Sequence, residues 1–131
     1  KFGHERVLFI DDEDAMVEMG VTFLEKLGYR VTSRTSSREA LILFKIKPYD
    51  FDVIITDQTM PQMTGDHLAQ EILKIRPEIP IILCTGYSRE ITPEEAKKLG
   101  IREFVYKPLV FDDFSEKLRN VLDQTKSMQS H

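Results

Sequence analysis

A repeated alternation of short apolar runs with segments of helical periodicity does most to limit what this chain can fold into. Arg6-Val-Leu-Phe-Ile10 is a compact apolar run followed by acids that suit a helix start. Met16, Met19, Phe23, Leu24 and Leu27 then recur at helical spacing as one apolar stripe, and Gly28 supplies a stop. Tyr29–Arg34 reads as a second, more polar strand suited to a sheet edge. Ser36 or Ser37 can cap the next helix, where Ala40, Leu41, Leu43 and Phe44 face inward before Pro48 ends it. Phe51-Asp-Val-Ile-Ile-Thr56 is β-branched and apolar, as a strand covered on both faces should be. A turn built on Met60-Pro61 and Gly65 leads to a third helix, marked by Leu68, Ile72, Leu73 and Ile75 and closed by Pro77. Pro80–Cys84 reads as a fourth strand. Thr92-Pro93-Glu94-Glu95 is a helix start with a capping residue, a first-turn proline and acids at the positive dipole end. Glu103–Tyr106 is a short fifth strand and Phe111–Leu122 the last helix. The pattern predicts an α/β fold, a five-stranded parallel doubly wound sheet with right-handed crossovers.

Sheets of this kind carry their sites at the carboxyl ends of the strands. Strand one ends in Asp11-Asp12-Glu13-Asp14, strand three in Asp57, strand four in Thr85, and strand five in Lys107-Pro108. In the doubly wound topology strands one, three, four and five are neighbours, so these residues can converge. Carboxylates meeting in one cleft repel each other unless a cation sits among them. An oxygen-only donor set suits a hard ion, and magnesium accepts one or two carboxylates together with phosphate oxygens. A lysine and a threonine hydroxyl at the same point supply charge neutralisation and a hydrogen-bond donor, the needs of phosphoryl transfer. A carboxylate can itself be the nucleophile and form an aspartyl phosphate.

Each residue also has a plainer reading. Asp57 alone would be a loop or capping group, Asp11 and Asp12 an acidic helix start (a role that suits Glu13 and Asp14 better), and Lys107 a solvated lysine. Cys84 reads as a small buried apolar residue rather than a redox sensor. Met60, Pro61 and Met63 read as turn and packing residues, and His67 as a surface residue. His4-Glu5 has the acid that often follows a phosphoacceptor histidine, but the strand that begins directly after it lacks the helical setting such a histidine needs.

The residues taken together resemble a known family. An acidic pair after strand one, Asp-x-x-Met-Pro-x-Met-x-Gly after strand three, Thr-Gly after strand four and Lys-Pro after strand five are similar to the receiver (response-regulator, CheY-like) domain of two-component signalling. The likeness runs from Val7 to Leu122. It implies a flavodoxin-like, three-layer sandwich with strand order 2-1-3-4-5. It implies Asp57 as phosphoacceptor, with Mg²⁺ held by Asp12, Asp57 and the backbone carbonyl of Thr59, and with Asp11 acting through a bound water. It further implies that Lys107 pairs with Asp57 and then with a phosphoryl oxygen, and that Thr85 moves to hydrogen-bond that group. Phe104 is then the aromatic that reorients, a role Tyr106 can share because period two puts it on the same strand face. Thr59 and Tyr87 would flank the path of the hydrolytic water. The Lys107–Pro108 bond would be cis, against a general frequency of about 5% for X-Pro bonds.

Composition limits the remaining classes. At 131 residues the chain has the length of one domain. A net charge of −4 argues against a nucleic-acid or anionic-membrane surface. No apolar run approaches the roughly 18 residues that span a bilayer. One cysteine, Cys84, excludes an internal disulfide and suits a reducing compartment, so a cytoplasmic domain is expected. Residues 1–5 read as a linker segment, 6–125 as the receiver domain, and 126–131 as a disordered tail or appended remnant. Lys1 in place of Met suggests a piece of something larger. Gly3-His-Glu-Arg-Val-Leu-Phe-Ile-Asp-Asp-Glu13 and Gly100-Ile-Arg-Glu-Phe-Val-Tyr-Lys-Pro-Leu109 resemble receivers joined to hybrid sensor histidine kinases. That parent might be a membrane-bound receptor kinase with this domain on its cytoplasmic side; a single-domain regulator is the alternative. The expected partner is a phosphohistidine donor, a kinase or a phosphotransfer domain, with self-association through the fourth helix, fifth strand and fifth helix. A haloacid-dehalogenase-like Mg²⁺-dependent phosphatase uses a related residue set. It would leave Asp57 and its Met-Pro-x-Met-x-Gly turn unexplained, and the chain has no cap insertion. A pseudo-receiver that only binds partners is the third reading.

Overall fold

The computed structural model describes residues 2–86 and 90–129, with side chains through Ser127. The elements are β1 (Arg6–Ile10), α1 (Asp14–Lys26), β2 (Arg30–Arg34), α2 (Ser37–Ile46), β3 (Val53–Asp57), α3 (Gly65–Ile75), β4 (Ile81–Thr85), α4 (Pro93–Leu99), β5 (Glu103–Tyr106) and α5 (Phe111–Gln129). The strands pair in parallel in the order β2-β1-β3-β4-β5, as expected.

Period two along the strands divides the core into two layers. Val7, Phe9, Val53, Ile55, Ile82, Cys84 and Val105 meet Leu24 of α1 and Phe114, Leu118 and Val121 of α5. Leu8, Ile10, Ile54, Ile81 and Leu83 meet Ala40 and Phe44 of α2, Leu68 and Ile72 of α3 and Ala96 of α4. Every residue of β3 and β4 is buried, which explains their unbroken apolar sequences. Local signals set the helix ends. The Ser36 hydroxyl accepts from the Glu39 N–H, and Thr92 and Glu95 cap each other reciprocally. Gly100, at φ 98°, ends α4 in the left-handed region.

Two expectations change. On α1 the expected stripe included Met19, which is 51% exposed. The face against the sheet instead runs through Val17, Gly20 and Leu24. The reason is Phe9: a Cβ on Gly20 would lie 2.4 Å from its Cζ, so the bare backbone of α1 makes room for the ring. Phe23 turns sideways and stacks on Phe111 of α5, with ring centroids 4.6 Å apart.

At the opposite end of the sheet from the acidic residues, α5 continues to Gln129, past the tail boundary expected at residue 125. Glu5, expected in a linker, is 3% exposed. Its carboxylate accepts from Arg119 Nη2 at 2.5 Å and Lys126 Nζ at 2.7 Å. A carboxylate so enclosed needs cationic partners, and α5 must reach residue 126 to supply the second.

Candidate functional site

Parallel pairing in near register brings four strand ends to one edge. Ile10 lies opposite Thr56, Asp57 opposite Cys84, and Thr85 opposite Tyr106. Asp11, Asp57, Thr85 and Lys107 therefore reach the same edge. Carboxylate oxygens of Asp11, Asp12 and Asp57 lie within 4.8 Å of one another. Asp11 and Asp57 are buried and Asp12 stands exposed at the rim. Lys107 Nζ lies 2.8 Å from Asp11 Oδ2 and 3.0 Å from Asp57 Oδ1. The other oxygen of Asp11 accepts the Glu13 N–H at 2.9 Å.

These distances fix the electrostatics. Burial pushes the Asp57 carboxyl up to about 6, and repulsion from Asp11 and, less strongly, Asp12 adds to the rise against the opposing pull of Lys107. Lys107 loses hydration by burial, but its bonds to Asp11 and Asp57 outweigh that loss and raise it above the ordinary lysine value. One ammonium thus faces three carboxylates. The all-oxygen donor set and the residual negative charge fit a hard divalent cation.

The sequence matches the response regulator receiver domain model over residues 7–119. The chain belongs to the response regulator receiver domain family. Chemotaxis protein CheY of Thermotoga maritima is 38% identical over 106 residues, covering 79% of this chain and 86% of that protein. The transcriptional regulatory protein ZraR of Escherichia coli is 32% identical over 124 residues, which is 95% of this chain and 28% of ZraR. The chain thus spans little more than a quarter of that relative's length. A response regulator receiver domain protein from Clostridium thermocellum superposes with a TM-score of 0.89 at 32% identity, covering 95% of this chain and 98% of that one.

In this receiver the Thr85 side chain is 1% exposed, and its hydroxyl oxygen lacks a hydrogen-bond partner. Among the described residues only Ser37 Oγ shares that condition. A buried hydroxyl left unpaired costs about 1–3 kcal/mol. Phe104 is half-buried against the α2–α4 layer, and Tyr106, 49% exposed, meets it edge-on at 5.2 Å. The two rings share one strand face as expected. The Lys107–Pro108 bond is cis.

The turn after β3 is shaped by close approach. A Cβ on Gly65 would fall 2.2 Å from the Asp57 carbonyl oxygen, so only glycine lets α3 start there. Gln62 takes a positive φ of 72° between the buried Met60 and the start of α3. Thr59 is exposed in this turn, while Tyr87 lies outside the described residues. Gln58, which follows Asp57 and has no exposed surface, was passed over in the sequence. Its one available signal was an amide directly after a buried strand, where a polar side chain needs partners.

Proposed function

We propose that this receiver accepts a phosphoryl group from a phosphohistidine onto Asp57 in a Mg²⁺-dependent reaction, and that the acyl phosphate switches its signalling surface. The carrying observation is Lys107 bridging Asp11 and Asp57 at 2.8 and 3.0 Å beside the unpaired Thr85 hydroxyl. With its carboxyl at about 6, Asp57 is largely ionised at neutral pH and presents a nucleophilic oxygen. That oxygen bonds to phosphorus as the phosphorus–nitrogen bond breaks. The bonding electron pair leaves on the imidazole nitrogen, which then takes up a proton. Asp12, Asp57 and the Thr59 carbonyl would hold Mg²⁺, which when bound offsets the charge of the carboxylates and phosphoryl oxygens. A water-mediated role for Asp11 is supported by the engagement of both its oxygens with Glu13 and Lys107. Lys107 then pairs with a phosphoryl oxygen, and Thr85 gains the partner it lacks.

Movement of Thr85 vacates space into which Phe104 turns, with Tyr106 sharing the change. The surface of α4, β5 and α5 responds and serves self-association or partner binding. Thr59 and Tyr87 are assigned to the hydrolysis path. We assign the domain to the cytoplasm, with no nucleic-acid or membrane contact of its own; among the described residues no helix is long and apolar enough to cross a membrane. The joint at Gly3–Glu13 supports a hybrid sensor kinase as parent. The CheY relative, 86% covered by the match, favours a single-domain regulator equally well. The reading frame upstream of Lys1 decides between them: a kinase ATP-binding domain there supports the first, and an immediate start codon the second.

Two measurements test the chemistry. Because three carboxylates share one cleft, millimolar Mg²⁺ should raise the melting temperature by mass action, and Asp12→Ala should remove most of that rise. No metal-dependent shift in the parent protein contradicts the site. Incubation with acetyl phosphate and Mg²⁺ should leave one acyl phosphate per chain. Continuous release of phosphate without a trapped adduct would indicate a phosphatase, and no reaction a pseudo-receiver.

A further inference from the structure

Every polar group of Gln58 is engaged. Its N–H donates to the Cys84 carbonyl at 2.8 Å, and its carbonyl accepts from the Gly65 N–H at 2.9 Å. In the side chain, Oε1 accepts from the Asp66 N–H at 2.9 Å, while Nε2 donates to Asp66 Oδ1 at 2.9 Å and to Glu90 Oε2 at 3.2 Å. The amide orientation is chemically fixed, since the flipped form would set its oxygen against two carboxylates and its NH₂ against an N–H. A second bond locks Asp66 in place, from Thr64 Oγ1 at 2.6 Å. Accordingly the Asp66 carboxyl, though raised by burial, is held below the usual range by Thr64 and Gln58.

These partners belong to different parts of the switch. Cys84 immediately precedes Thr85, Gly65 and Asp66 begin α3, and Glu90 lies two residues before the cap of α4. Glu90 is exposed, so its bond is the most easily released of the set. The geometry points to Gln58 as a positioning residue that tethers the approach to α4, through Glu90, to the strand carrying the acceptor. This inference rests on the proposed function and deepens it. Drawing Thr85 toward a phosphoryl group pulls on the chain that leads to Glu90, whereas Gln58 is anchored to α3. The Gln58–Glu90 bond therefore favours the unmodified form, and its loss shifts the balance toward the switched form.

Amide shifts of ¹⁵N-labelled full chain report that balance. Wild type, Gln58→Leu, Glu90→Ala and the double variant are compared before and after treatment with acetyl phosphate and Mg²⁺. In unmodified Glu90→Ala, the Thr85, Phe104 and Tyr106 amides should move along the line joining the unmodified and phosphorylated wild-type positions. The expected size is about a fivefold rise in the ratio of switched to unswitched forms, as one hydrogen bond to an exposed carboxylate can supply. Gln58→Leu should move them in the same direction, and the double variant should match Gln58→Leu, because Glu90 has nothing to add once Gln58 is gone. Glu90 is on the surface, so its variant stays folded even if Gln58→Leu does not. Unmoved amides, movement off that line, or additive single variants overturn the tether while phosphorylation of wild type stands. Failure of wild type to take phosphate overturns the proposed function and the tether with it.

Discussion

Asp57→Asn should stabilise the metal-free protein by about 3 kcal/mol near neutral pH, although it removes the group proposed to carry the chemistry. Burial first, and then repulsion from Asp11 and Asp12, raise the Asp57 carboxyl to about 6. Its unfolded value is near the ordinary 3.9. Between those two pH values the folded state holds a proton that the unfolded state has released. Stability therefore falls as pH rises from about 4 to about 6 and stays reduced above that window. Asparagine keeps the shape without the charge, so the variant should lose this decline and exceed wild type above pH 6. Denaturant unfolding with a chelator, at several pH values, reads both effects. Equal stability of the two proteins across that range would show that ionised Asp57 is not under repulsive strain. Adding Mg²⁺ should narrow the difference, because wild type gains from the cation and the variant gains less.

Arg119→Ala should cost about 2–3 kcal/mol, the low end for breaking a buried ion pair because Lys126 remains. Burial by itself would raise the Glu5 carboxyl; Arg119, Lys126 and the His4 N–H outweigh it and hold the carboxyl well below the usual range. Glu5 thus contributes stability that is present above the ordinary carboxylate value and lost as pH falls through its lowered folded value. Without Arg119 that acid loss should begin at higher pH. Arg119 also bridges to Asp123 at 2.9 Å and approaches the Tyr29 hydroxyl at 3.4 Å, so the substitution loosens α5 from the first strand. In a double-mutant cycle, Glu5→Gln should cost clearly less in the Arg119→Ala background than in wild type. Strict additivity would mean that the two residues stabilise independently.

The sequence carried the fold because its signals were local and agreed with one another. Apolar runs of strand length, a cap at Ser36, a capping box at Thr92 and stops at Gly28 and Gly100 each specify an element from a few neighbouring residues. The acidic edge was legible for a related reason: in a parallel sheet, residues that end their strands must meet. Other features rest on contacts that no short window contains. Gly20 packs through what it lacks, so an apolar stripe drawn from side chains alone selected Met19 in its place. Glu5 looked like a linker acid because its partners, Arg119 and Lys126, lie at the far end of the chain. Gln58 gave no sign of its ties to Asp66 and Glu90, which depend on how two loops pack at the sheet edge.

The account stands or falls on where a phosphoryl group attaches. Wild type and Asp57→Asn, each incubated with a phosphohistidine donor and Mg²⁺, can be compared by intact mass and by mapping the modified peptide. The account predicts one base-labile phosphate on wild type, located at residue 57, and none on the variant. An equal gain of phosphate by Asp57→Asn, or a phosphate mapped to another residue of wild type, would contradict it.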